Sequence, residues 1–259
     1  MEQLALKLRR DWGIDNYAPI DIFSLALEKI DNLTLKWYEM DGIVSGCCLR
    51  SEDDNLILIN SRHSKGRQNF TLAHELYHLN FDESSDTRIC KLNSKDEIED
   101  KANKFASYFL MPKCALEDYY YRNQIKEWTL KDMVKCEQLF QISHKAMITR
   151  LHEEKYLNDE NFEKLSSPTF SIRKYAANLG FDTSLYESSP ESKRNYVLGN
   201  LIPLTEEVYE KEYIPKRLRD QVLLKNFRAD IVYNTEEDSG FDYKESIWRY
   251  RLPILLFIA

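Results

Sequence analysis

The sequence predicts an α+β fold, mostly helical, with one small antiparallel sheet. Three observations lead there. Apolar residues recur at helical spacing before residue 31 and again from about residue 68 onward. Between these stretches, at 33–61, the period shortens to that of strands, with turn signals between the runs. Glycines number only seven in 259 residues, too few for an architecture built on tight turns.

Residues 2–12 and 21–30 read as amphipathic helices. In the second, Ile22, Leu25, Leu27 and Ile30 carry the apolar spacing, and Pro19 stands just ahead of the start. LTLKWYE (33–39), residues 43–50 and NLILINS (55–61) read as three strands, with 43–50 placed between the other two. Asp41-Gly42 and the polar SEDDN stretch supply the turns. Helical spacing resumes at about Gln68 and runs through FTLAHELYHLNFD (70–82). Another helix covers roughly 95–110 and ends at Met111-Pro112. Residues 129–140 and 143–157 form two more, split by a short turn, with Ser143 as an N-cap. The segment 129–157 thus has a helix-turn-helix outline. Residues 201–233 read as two helices broken at Pro215, and 235–246 as polar loop. The organisation expected is a first domain over 1–160, a helical accessory region over 161–234, and a polar linker with a short apolar tail over 235–259.

Bulk composition narrows the classes of function. The net charge of −7 argues against a protein that lives on nucleic acid. The segment 129–157 holds five basic and four acidic side chains, too even a balance to neutralise many phosphates, so direct DNA binding is not expected of it. Five cysteines, at 47, 48, 90, 114 and 136, include no CxxC pair and suit reduced thiols in the cytoplasm. The amino terminus is charged throughout, unlike a signal peptide. The apolar run LPILLFIA at 252–259 is too short to span a bilayer, so no membrane association is expected.

HELYH is the feature that points to chemistry. On a helix His74 and His78 stand about 40° apart and share one face, while Glu75 lies about 100° round from His74. Leu72, Leu76 and Leu79 gather on the opposite side, at about 140–200°. Two histidines so placed can hold zinc, which then needs a third protein ligand and one position left for water. The remaining histidines, His63, His144 and His152, have no ligand context. Three acids compete in the next helix: Asp96, Glu97 and Glu99. Ser94 and Glu97 form a capping box, and Asp96 suits the helix dipole. Glu99 lies beside the stripe of Ala102, Phe105, Ala106 and Phe109, and is the ligand that helical phase selects. Asp96 stands next in line. Asn103, one turn beyond Glu99, suits the task of orienting a histidine. In this arrangement Glu75 is the general base of an amide hydrolysis.

Two blocks, RQNFTLAHELYHL and EDKANKFASYFLMP, resemble the ImmA/IrrE family of metallopeptidases, whose patterns read R-x-x-F-T-x-A-H-E-L-G-H and E-x-x-A-N-x-F-A-x-x-L-M-P. With APIDIFSLA and MDGIVSG upstream, the likeness extends over residues 15–160. It implies a zincin-like peptidase domain with an HExxH active-site helix, metal ligands at His74, His78 and Glu99, and Glu75 as the base. The implied metal is Zn2+, with Mn2+ as the alternative. The implied partner is a helix-turn-helix repressor of a phage, mobile element or stress response, or a repressor-like antitoxin, which the enzyme would cut. One position departs from the pattern: Tyr77 replaces glycine, on the side where it could narrow the cleft. The other function class consistent with the sequence is a non-catalytic regulator that binds DNA or a repressor-like partner.

Overall fold

The computed structural model describes residues 1–51, 53–82, 87–91, 97–167 and 171–233. Two short helices, α1 (Glu2–Asp11) and α2 (Ile22–Lys29), precede the strands β1 (Leu33–Tyr38), β2 (Val44–Arg50) and β3 (Asn55–Asn60). Asp21 caps α2 by accepting from the Ser24 backbone.

The sheet is mixed, which corrects the expectation of an antiparallel sheet with residues 43–50 in the middle. β3 is central: β1 runs parallel to it on one side, and β2 antiparallel on the other. The physical reason lies in two features. The apolar run LILI of β3 suits a strand flanked on both edges. The loop after β1 is no tight hairpin: it passes the end of β3, where the buried Asn60 donates to the carbonyls of Asp41 (3.0 Å) and Val44 (2.7 Å). The turn between β2 and β3 closes as a hairpin through Ser51 and Asp54. β4 (Thr87–Lys91) and β5 (Tyr196–Gly199) complete the order β4-β2-β3-β1-β5. Gly199 must be glycine here: its φ is +94°, and a Cβ would lie 2.1 Å from the Leu33 carbonyl oxygen.

One apolar core joins this sheet to α3 (Lys65–Phe81) and α4 (Glu97–Leu110). Leu35, Cys48, Ile57 and Ile59 meet Leu72 and Leu76 of α3 and Phe105 and Phe109 of α4. Arg9 of α1 is fully buried, and its guanidinium donates to the backbone carbonyls of Phe109, Asp15 and Ala18. Pro112 ends α4 and caps α5 (Lys113–Arg122). α6 (Leu130–Phe140) starts in a Thr129–Asp132 capping box and ends at Gln141, in the left-handed region with φ 54°. α7 (His144–Glu153) follows at once, capped by Ser143. The turn between them packs on the first turn of α3. Asn69 donates to the Gln141 carbonyl at 2.7 Å, and a Cβ on Gly66 would lie 2.8 Å from the Ser143 nitrogen.

By contacts the chain divides into two units, 1–200 and 201–259. Residues 161–200 lie in the first: α8 (Asp159–Ser166) and α9 (Ile172–Asn178) lead to short 3-10 turns and then to β5. Tyr186 in that stretch donates to the buried Glu137 of α6 at 2.7 Å. In the second unit α10 (Leu201–Glu210), α11 (Lys216–Lys225) and α12 (Ala229–Tyr233) are described, with Pro215 capping α11 and Arg219 forked onto Glu206. The predicted capping box at Ser94, the acid Asp96 and the tail 235–259 lie outside the described residues. No helix among the described residues is long and apolar enough to cross a membrane.

Candidate metal centre

α3 is buried on nearly every side from Gly66 to His78, more than its amphipathic pattern suggests. The leucine face meets the core, and the polar face is covered by α4, β2 and the α6–α7 turn. Polar groups so covered require partners. Gln68 donates to the His63 carbonyl at 2.6 Å, and each of the two motif histidines is held by a specific neighbour.

His74 and His78, one turn apart, aim their Nε2 atoms at the same point, 3.1 Å from each other. Glu99 reaches that point from α4. Its Oε2 lies 3.2 Å from His74 Nε2, and its Oε1 lies 3.4 Å from His78 Nε2. All three side chains are buried, and one ligand atom from each lies within 4.8 Å of the others. Asn103, one turn after Glu99, meets His74 Nδ1 through its amide oxygen at 3.0 Å. Asp82, one turn after His78, meets His78 Nδ1 at 2.9 Å.

These outer contacts fix the tautomers. Each Nδ1 faces an oxygen acceptor and therefore carries the hydrogen, so each neutral ring presents an Nε2 lone pair inward. Two lone pairs and a carboxylate then converge on one point, an arrangement that repels itself unless a positive charge stands there. The titration behaviour of the bare site follows the same logic. Burial acts most strongly on His74 and opposes its charge, but the bond to Glu99 and the charges of Glu75 and Glu99 prevail, and its pKa is raised. Burial and the neighbouring His74 charge lower His78. A nitrogen–nitrogen–oxygen set with locked outer partners fits a divalent metal of the zinc class.

Residues 20–152 match the sequence profile described as the IrrE N-terminal-like domain, a peptidase family, over half the chain. The chain belongs to this family. It is a family of metallopeptidases, and the matched span holds His74, Glu75, His78, Glu99 and Asn103. No curated protein matches the chain.

Within the family's core the other sequence-marked residues take these places. Glu75 is fully buried and points to β2, its Oε1 lying 2.8 Å from where a Cβ on Gly46 would stand. Burial and the Glu75 charge push the Cys47 thiol up to about 11. The Cys48 thiol is raised further by burial, by the Glu75 charge and by a hydrogen bond to that carboxylate. Tyr77 packs in the core between Phe81 and Phe105, edge-on to His78, rather than lining an opening. His144 pairs with Glu137, His152 with Asp159, and His63 lies against the Gly42 carbonyl, so none of the three joins the cluster. Asp82 went unread in the sequence although its spacing from His78 is the same four residues that link the histidines. Cys48 carried no local signal and Gly46 only its place in MDGIVSG, since the pairing of β2 is what brings both to α3.

Proposed function

We propose that the chain is a zinc-dependent endopeptidase of the gluzincin type, with Mn2+ as the alternative metal, that cuts a regulatory protein. His74, His78 and Glu99 are the metal ligands, Glu75 is the general base, and Asp82 and Asn103 orient the two rings. The observation that carries this reading is the convergence of two Nε2 lone pairs and a buried carboxylate on one point. Zinc held there supplies Lewis-acid polarisation of the scissile carbonyl and acidifies a water. Glu75 accepts a proton from the attacking water as the new carbon–oxygen bond forms, then hands it to the nitrogen as the carbon–nitrogen bond breaks. Water adds across the bond, and the products are a carboxylate and an amine. Asn103 and Asp82 hold the rings still while this happens, which removes a reorientation cost from the reaction.

The family likeness supports one substrate class for this reading: a helix-turn-helix repressor or a repressor-like antitoxin of a phage, mobile element or stress response, met in the cytoplasm. The α6–α7 pair, which invites a DNA-binding reading, uses its turn to hold the start of α3. Its place is therefore in the support of the catalytic helix.

The test is Glu75→Gln. It should retain about one metal ion per chain by elemental analysis and lose cleavage by about 100-fold or more. It should also hold its substrate long enough for co-purification. Cleavage that survives this substitution would remove the mechanism. Steep salt-dependent DNA binding by a metal-free chain would favour the non-catalytic alternative.

A further inference from the structure

β2 does more than fill the sheet. Its pairing with β4 slips between Val44 and Gly46, a bulge that leaves Ser45 as the extra residue. Ser45 accepts a hydrogen bond from Arg67 of α3 at 3.2 Å. The next residue, Gly46, meets α3 as well: a Cβ there would stand 2.6 Å from Thr71 Cγ2, 2.8 Å from Glu75 Oε1 and 2.9 Å from the Leu58 carbonyl oxygen. Two consecutive residues of a strand thus touch one helix, which strict alternation forbids and a bulge permits. Cys48, two residues on, returns to the same face and is buried in the core, near enough to the Glu75 carboxylate for that group to raise its thiol pKa.

We infer that Gly46 and Cys48 are positioning residues for Glu75: the missing side chain at 46 leaves the space the carboxylate occupies, and the Cys48 thiol holds it there. The inference rests on Glu75 being the base of the proposed peptidase. Of the three atoms a Cβ would meet at Gly46, one belongs to backbone, one to the stiff side chain of Thr71, and one to the end of a flexible glutamate. A Cβ there presses on all three, and the carboxylate is the one of them whose displacement reaches the proposed chemistry. A base displaced by about 1 Å can lose a factor of about 100 in rate without any change in the groups that bind the metal.

The experiment uses the full chain loaded with zinc and fluorescently labelled casein as probe. Gly46→Ala should lower kcat by about 100-fold. Cys48→Ala should lower it by about fivefold. In both variants KM and zinc content should stay unchanged, and Cys48→Ser, which keeps a donor, should recover most of the loss. A second readout needs no turnover: the S–H stretching band, identified as Cys48 by its disappearance in Cys48→Ala, should move to higher frequency in Glu75→Ala as the hydrogen bond is lost. An unmoved band, or a kcat loss in Cys48→Ala that only tracks lost zinc or a lowered unfolding midpoint, overturns the inference. Casein cut equally well by Glu75→Gln overturns the peptidase reading and this inference with it. A band that still moves tells that failure apart from the first.

Discussion

At the scale of single residues, the cluster is held by groups that lie outside it. Asp82 locks His78 through Nδ1, and the histidine then offers a lone pair of defined direction. Asp82→Ala should weaken zinc binding by about 10–100-fold, read by competition with a chelating dye. Protons compete for the same lone pairs. Because the His74 pKa is raised above 6.5 in the bare site, zinc affinity should be level at high pH and begin to fall while still above that value. The sign follows directly, since a group more easily protonated gives up its metal earlier as pH falls. An affinity that stays flat down to pH 6 would show that His74 is not a ligand. The residues that the structure brings together, His74, His78, Glu99 and Asn103, were legible because helical phase is a local property: HELYH and E-x-x-x-N each lie within two turns of one helix.

At the scale of elements, α3 and α4 bring the two halves of the cluster together by packing aromatic rings. Phe105 stacks on Phe109 at 5.6 Å and meets Phe81 and Tyr77, the last of which lies edge-on to His78. Phe105→Ala should destabilise the protein by about 3–5 kcal/mol through the cavity it opens, measured by urea unfolding. The same variant should bind zinc less tightly, because Glu99 rides on the helix that the cavity loosens. A loss under about 1 kcal/mol would mean that the core collapses around the gap. Helix limits were read well where proline or a capping side chain sets them, as at Pro112, Thr129 and Ser143. Strand order was not, because turn residues mark where a chain bends and say nothing about which edge it reaches next.

At the scale of the whole chain, the first unit takes its last strand from residues 196–199. A chain ending at Asn200 should unfold cooperatively and bind zinc as the full chain does. One ending at residue 160 lacks β5, exposes the edge of β1 and removes the Tyr186 hydroxyl from buried Glu137. It should aggregate or show a markedly lower unfolding midpoint by calorimetry. Equal stability of the two pieces would show that residues 161–200 add nothing to the first unit. This dependence was hidden in the sequence, where 161–200 lacks strong periodicity and β5 spans only four residues.

By itself the sequence determined a mostly helical α+β chain, the histidine and glutamate face of α3, and the phase that turns Glu99 inward. Each of these depends on residues within a few turns of one another, where spacing and geometry are the same thing. The tertiary structure alone decided the mixed sheet, the burial of both faces of α3, the packing of Tyr77 in the core, and the contact of Gly46 and Cys48 with Glu75. Those depend on which strand edges and helix faces meet. That choice is made by the whole core at once, as the apolar surfaces of distant segments are removed from water together.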